Sequence, residues 1–225
     1  MYNNYAKYFD FIFPANKTTV DFLDTHLRGN KVLDIGCGSG EYTNALYDKG
    51  YDITGIDLDA EMIKYAKIKN EHINFKVENM LEMSTVKYDS LYCIGNTLVH
   101  LPTKEDIQTF LKSCYSKLEN GNLVLQIINY ERILDQNITS LPTIENQGIT
   151  FERNYSIGKE KVTFSTILTT PEETYSDAVE LLPIQKEELE MMLKTAGFTS
   201  IQSYAGFSDK PYHKDSYALV VVVSK

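Results

Sequence analysis

Basic residues are in short supply. The 225-residue chain sets 22 lysines and arginines against 31 aspartates and glutamates, for a net charge of −9. Binding to DNA, RNA or anionic lipid rests on Lys/Arg contacts to phosphate. With no Lys/Arg cluster present, no nucleic-acid and no membrane partner is expected. Cysteine is scarcer still: Cys37, Cys93 and Cys114 make neither a CxxC pair nor an even set. That argues against a disulfide framework and a structural zinc site, and buried reduced thiols are expected. His26, His72, His100 and His213 form no constellation with one another or with a cysteine, so no metal is expected. Long apolar runs are missing too. The strongest, "YALVVVV" at 217–223, is strand-sized and far short of the ~18 residues of a membrane span. The N-terminal "MYNNYAKYFDFIFP" has no basic leader and no small-residue cleavage site, which makes the cytoplasm the expected compartment.

What the chain does have is alternation. "KVLDI", "YDITGI", "INFKVE", "YDSLYCI" and "NLVLQII" read as strands. Between them stand the helical patterns "EYTNALYDKG", "DAEMIKYAKIK" and "TKEDIQTFLKSCYSKL", the last with Thr103 as N-cap. Such βα units predict an α/β fold with a mostly parallel sheet, right-handed crossovers, and a ligand beyond the carboxyl ends of the strands at the topological switch point. After Asn129 the texture changes to Thr-, Ile-, Val- and Tyr-rich alternation: "ITFERNYSIG", "KEKVTFSTILTT" and "ETYSDAVELLP" read as antiparallel strands with "IGKEK" as a turn. A helix over 185–197 and strands "FTSIQSY" and "SYALVVVVSK" then complete the first sheet. The expected organisation is a helical cover at 1–28, a main domain at 29–129 and 183–225, and an inserted antiparallel β cover at 130–182.

"KVLDIGCGSG", residues 31–40, places Gly36, Gly38 and Gly40 directly after a strand. Gly-rich strand-to-helix loops let a backbone come close to a ligand with no Cβ in the way. A dinucleotide fingerprint needs a third glycine where Glu41 stands, and a P-loop needs a G-K-[ST] that does not follow. The run resembles instead motif I of class I S-adenosylmethionine-dependent methyltransferases, in which an acid precedes G-x-G-x-G by two residues. The resemblance implies a Rossmann-like, seven-stranded methyltransferase fold and S-adenosylmethionine as cofactor. It also implies that Gly36, Cys37, Gly38 and Gly40 line the methionine part and that Asp34 orients the loop. "ITGIDLDAEMIKYAK" continues the match: Asp57, 21 residues after Gly36, stands where the family's acid accepts both ribose hydroxyls, with Leu58 and Met62 flanking the adenine. In "FKVENML", Asn79 replaces the more usual Asp that bonds the adenine amine, and the Met80 N–H meets the ring nitrogen.

"LYCIGNTLVHL", residues 91–101, lacks the N/D-P-P-Y/F signature of enzymes that methylate amide or base nitrogens. It resembles the "GNS-aromatic-x-HL" segment of glycine and sarcosine N-methyltransferases, and "LVLQIINYERIL" resembles their segment ending in "RNYD-x-IL". This implies a small-molecule methyl acceptor, N or O, with Ile94, Gly95 and Asn96 at the transfer site and the chain working as a monomer or homodimer. One departure bears on the acceptor: the Arg that precedes "NY" in those enzymes and binds the substrate carboxylate is Ile128 here, with Arg132 and Arg153 as the substitutes at hand. Tyr5 and Tyr8 in the N-terminal aromatic segment are candidates to align cofactor or acceptor, Lys17 to meet the cofactor carboxylate, and His100 to act as base for a hydroxyl. Two other readings stay open at this stage: methylation of protein or RNA, and a non-catalytic cofactor binder on the same fold.

Overall fold

The computed structural model describes residues 6–225. The apolar runs become β1 (Lys31–Ile35), β2 (Asp52–Asp57), β3 (Asn74–Val77), β4 (Ser90–Cys93) and β5 (Asn122–Ile128). Four strands follow, β6 (Ser140–Asn146), β7 (Ile149–Ile157), β8 (Val162–Thr169) and β9 (Thr174–Leu181), then β10 (Ser200–Ala205) and β11 (Ala218–Ser224). The main sheet has the order β10-β11-β5-β4-β1-β2-β3, parallel except for β11, which runs against β5 and β10. Its switch point lies between β1 and β4, which pair in parallel from Val32↔Ser90. The strands that read as unbroken apolar runs are those buried on both faces: every residue of β4 is buried, and so are all but the last of β11.

Among the described residues seven α-helices accompany the sheet: α1 (Phe9–Ile12), α2 (Lys17–His26), α3 (Glu41–Asp48), α4 (Ala60–Lys69), α5 (Lys104–Lys117), α6 (Tyr130–Asp135) and α7 (Lys186–Ala196). Thr103 caps α5 by accepting the Asp106 N–H, as its position ahead of the helical pattern predicts. Among the described residues no helix is long and apolar enough to cross a membrane. Cys93 and Cys114 are buried, and none of the three cysteines is bonded.

Two expectations change shape. The cover expected over 1–28 divides in two. Val20, Phe22, Leu23 and Leu27, from α2 and its end, pack with Val32, Val124 and Val222, which makes α2 one of the layers of the main domain. Only the segment around α1 covers. The inserted sheet has four strands rather than three, in the order β6-β7-β8-β9. β6 carries Pro142, is largely exposed and breaks register between Leu141 and Ile144, all traits of an edge strand and weak signals in a sequence. α6 is also new. Its six residues are too few for a periodic pattern.

Ile12 of α1 forms a small core with Ile149, Phe151 and Leu168 of the inserted sheet. Phe13 meets Phe151 edge-on at 5.6 Å, and the Asn146 amide donates to the Phe11 carbonyl at 2.8 Å. The other end of the inserted sheet joins the main core through Tyr155, Val162 and Leu181.

Asn129 ties β5, α6 and the approach to β11 together. Its Oδ1 accepts from the Arg132 N–H (3.2 Å) and the Tyr212 hydroxyl (2.8 Å), while its amide donates to the Lys214 and Ser216 carbonyls. Asn129→Ala removes a helix cap and leaves buried partners unpaired. A loss of about 3 kcal/mol is expected in urea unfolding, with the denaturant slope unchanged.

Candidate active site

The glycine loop is fastened to the end of β2. Gly36 and Cys37 N–H both donate to the Ile56 carbonyl, at 2.8 and 3.0 Å. Gly38 N–H donates to Asp57 Oδ2 at 2.8 Å, and Asp59 N–H donates to Asp57 Oδ1 at 2.9 Å. Each carboxylate oxygen thus spends one lone pair on the backbone and keeps another, which fits a pair of hydroxyl donors. Burial raises the Asp57 pKa, and the Asp59 and Gly38 N–H groups hold it down. Gly36 sits at φ +75°, and a Cβ there would stand 2.5 Å from Thr97 Cγ2, so the loop can lie against the β4 turn only as glycine.

Beneath the loop lies Asp34, 2% exposed. Its Oδ2 accepts the Thr43 hydroxyl from α3 at 2.6 Å and the Tyr92 hydroxyl from β4 at 2.7 Å. Asp34 therefore joins three elements under the loop and offers no exposed oxygen to a ligand. Gly40 is the N-cap of α3.

Across the switch point, the turn after β4 carries Ile94, Gly95 and Asn96. Gly95 has φ +73° and its N–H donates to Gln126 Oε1 at 2.7 Å; a Cβ on it would meet nothing within 4 Å. The backbone there borders open space. Asn96, also left-handed at φ +67°, donates from its amide to the Tyr130 hydroxyl (3.0 Å) and accepts the Ile128 N–H (3.0 Å). Both ends of its side chain are engaged in holding the turn to β5 and α6.

At the adenine end expected from the resemblance, Leu58 is 72% exposed beside Asp57, whereas Met62 is fully buried in the first turn of α4. Asn79 Oδ1 accepts the Leu81 N–H at 3.0 Å, and the Asn79 carbonyl accepts the Glu82 N–H. The Met80 N–H between them has no partner among the described residues. An exposed aliphatic side chain, an amide oxygen and an unpaired N–H in this order suit the edge of a purine.

The remaining candidates divide. Tyr5 lies outside the described residues. Tyr8 packs into the small core between α1 and the inserted sheet, with the Lys7 ammonium 4.6 Å from its ring centroid, and does not join the Asn96–Tyr130 group. Lys17 is 87% exposed and pairs with Asp21 on its own helix; nothing draws it to the glycine loop. His100 ends the 3-10 turn Thr97–His100, its pKa lowered by burial, and so stays neutral at neutral pH with no hydrogen-bond partner among the described residues. The Cys37 thiol points to the Gly38 carbonyl, and burial raises its pKa well above the ordinary value.

Residues with no sequence signal join these. Phe9 lies 3.2 Å from where a Gly38 Cβ would stand, and Asp10 accepts the Ser39 hydroxyl and pairs with Lys69, which also pairs with Glu41 at 2.9 Å. The N-terminal cover is thereby latched to the glycine loop. Tyr92, Gln126 and Tyr130 come from distant segments, and Thr43 from the first turn of α3 just after the loop. Tyr92, Gln126 and Tyr130 lay in stretches that the resemblance had singled out, but no role had been read for any of them.

Residues 32–121 match a methyltransferase domain family. A glycine/sarcosine N-methyltransferase of Aphanothece halophytica is 26% identical over 203 residues, covering 87% of this chain and 76% of that one. A ubiquinone biosynthesis O-methyltransferase of Psychrobacter arcticus is 34% identical over 113 residues, 46% of this chain and 42% of that one. A solved S-adenosylmethionine-dependent methyltransferase from Clostridium acetobutylicum shares the fold with a TM-score of 0.85 at 18% identity, over 99% of this chain and 98% of that one.

Burial pushes the Asp34 carboxyl up to about 7, although the Thr43 and Tyr92 hydroxyls favour its ionised form. A carboxyl raised in the folded state stabilises the fold at low pH and loses that contribution as pH climbs from the ordinary carboxylate range through about 7. Asp34→Asn keeps an oxygen for both hydroxyls and removes the titration. The fall in melting temperature between about pH 4 and pH 7 is expected to flatten in this variant, as read by circular dichroism melts across that window.

Proposed function

As a class I S-adenosylmethionine-dependent methyltransferase, the chain is an enzyme that needs a methyl acceptor, and we propose that this acceptor is a nitrogen or oxygen of a small molecule. The observation that carries this reading is the inserted sheet seated over the acceptor side. Tyr155 and Leu181 belong to the same core as Leu98, Val99 and Tyr130, and the Leu182 N–H donates to the Val99 carbonyl at 2.9 Å. A macromolecular substrate asks for an open groove, and RNA asks for cationic surface that a chain of net charge −9 does not supply.

S-Adenosylmethionine supplies a methyl group on a sulfonium, ready for in-line displacement by a lone pair. The chain's part is to bind, align and exclude water. Asp57 takes the ribose hydroxyls with the lone pairs left over from Gly38 and Asp59. Asn79 Oδ1 and the Met80 N–H hold the adenine edge, and Leu58 lies on its face. Met62 supports that face from within the core. Gly36, Cys37, Gly38 and Gly40 shape the path of the methionine part, with Asp34 fixing the loop from below. Ile94 and Gly95 border the transfer point, and Asn96 fixes that border against Tyr130 and Ile128. An amine acceptor needs only its neutral form. A hydroxyl needs a base, and His100, neutral and without a partner, is the group for that task.

Asp57→Ala is expected to weaken S-adenosylhomocysteine binding at least tenfold, about 1.4 kcal/mol or more, with the fold retained. Calorimetric titration at one site per chain checks this, and unchanged affinity removes Asp57 from the ribose role. Asn96→Ala should lower turnover of whichever small amine or alcohol is methylated more than it lowers cofactor affinity, because it loosens the acceptor border and leaves the β2 side intact. Equal turnover in variant and wild type would show that the border does not depend on Asn96.

A further inference from the structure

The face that the inserted sheet turns toward the main domain is apolar at both ends and polar in the middle. Along β7 the alternation puts Ile149, Phe151, Arg153, Tyr155 and Ile157 on one face. In register, Arg153 stands beside Thr166, and Thr166 beside Asp177. Phe151, Leu168 and Tyr175 form the row on one side; Tyr155, Phe164 and Val179 form the row on the other. The first of these rows packs on α1 and the second on the main core. A polar row in the middle of a packing face has no folding rationale of its own, since burying such groups costs free energy unless they are paired.

They are not all paired. Tyr155 is 4% exposed, and its hydroxyl has no hydrogen-bond partner among the described residues. Arg153 Nε is buried and also without one, while Nη2 of the same guanidinium donates to the Pro142 carbonyl at 2.7 Å and so fixes the group. The two residues are adjacent on one face of one strand. Tyr155 is within electrostatic reach of the Tyr130 phenol, which receives the Asn96 amide at the border of the transfer point. Orphaned buried polar groups of this kind are uncommon in folded proteins and call for an explanation.

All the unspent valences here are donors: a guanidinium N–H and a phenol O–H. Asp177, two strands across in the same row, accepts the Ala178 N–H through Oδ1, and no carboxylate forms an ion pair with Arg153 among the described residues. A cation and a hydroxyl with free protons, under a cover on an acidic chain, match an oxyanion. We propose that Arg153 Nε and the Tyr155 hydroxyl bind a carboxylate of the methyl acceptor, which is thus a small amine or alcohol that is also an acid. The assignment rests on the small-molecule reading above. It moves the carboxylate contact from the position held by Ile128 to the cover sheet.

The test uses wild type, Arg153→Gln, Arg153→Lys and Tyr155→Phe. Each is given labelled S-adenosylmethionine with amino acids and hydroxy acids, and separately with the primary amide of each. Turnover of acids at least tenfold above their amides, lost tenfold or more in Arg153→Gln and partly restored in Arg153→Lys, supports the proposal. Tyr155→Phe carries a sharper readout. A phenol serving only the fold loses stability when its hydroxyl goes, whereas an unpaired buried hydroxyl does not. The expected result is a melting temperature equal to or above wild type, unchanged S-adenosylhomocysteine affinity, and a fivefold or greater rise in KM for the acid. Amides methylated as well as acids, or Arg153→Gln at wild-type efficiency, overturns the carboxylate assignment and leaves small-molecule methylation standing. Label transferred to protein or RNA from a cell extract and to no small molecule overturns both.

Discussion

One buried carboxylate holds the site together. Asp34 sits at the end of β1 and takes hydroxyl protons from α3 on one side and β4 on the other, so the three elements that meet under the glycine loop share a single acceptor. The loop itself is then fixed from β2, by the Ile56 carbonyl and the Asp57 carboxylate. A strand end, a helix start and two neighbouring strands are thereby held in register around the glycine loop. The positive φ values of the loop and of the Gly95–Asn96 turn are tolerated because these bonds over-determine them.

The same arrangement separates two jobs. On the β2 side, the hydrogen bonds at Asp57, Asn79 and Met80 leave free valences in an order that suits a nucleoside. On the β5 side, Asn96 spends both ends of its amide on Tyr130 and Ile128, so its contribution is to hold the turn rather than to touch protons in transit. The N-terminal segment bridges the two, with Phe9 and Asp10 against the glycine loop and Ile12 and Phe13 against the inserted sheet.

Much of the fold was legible because the parallel strands are buried on both faces and therefore written as short apolar runs, and because the helices between them carry caps and glycine stops. The glycine loop and Asp57 were legible for the same local reason: their chemistry lies within a span of some two dozen residues. What escaped has a common cause. β6 is an exposed edge strand with a proline, α6 is too short to show a period, and the division of the first 28 residues depends on which face α2 buries. The Tyr92 contact to Asp34, the Gln126 contact to Gly95 and the Asp10 latch each join residues about thirty or more positions apart, which no short window of sequence contains. Thr43 stands only nine residues after Asp34, but nothing local says that its hydroxyl turns back to that carboxylate. Lys17 and Tyr8 were singled out by residue type and position, and in the structure Lys17 pairs with Asp21 while Tyr8 packs against the small core of α1 and the inserted sheet.

The inserted sheet is one uninterrupted stretch of chain whose strands follow one another as successive hairpins, β6 to β9, while the groups proposed to hold the cofactor come from segments 34–40, 57–62 and 79–80. The two halves of the proposed site are therefore written in different parts of the sequence. On the proposed reading, the middle row of the face that β7, β8 and β9 turn toward the main domain, Arg153, Thr166 and Asp177, is where substitution retunes the acceptor, because the rows on either side are committed to packing on α1 and on the main core. Specificity is then confined to a few positions of one contiguous segment.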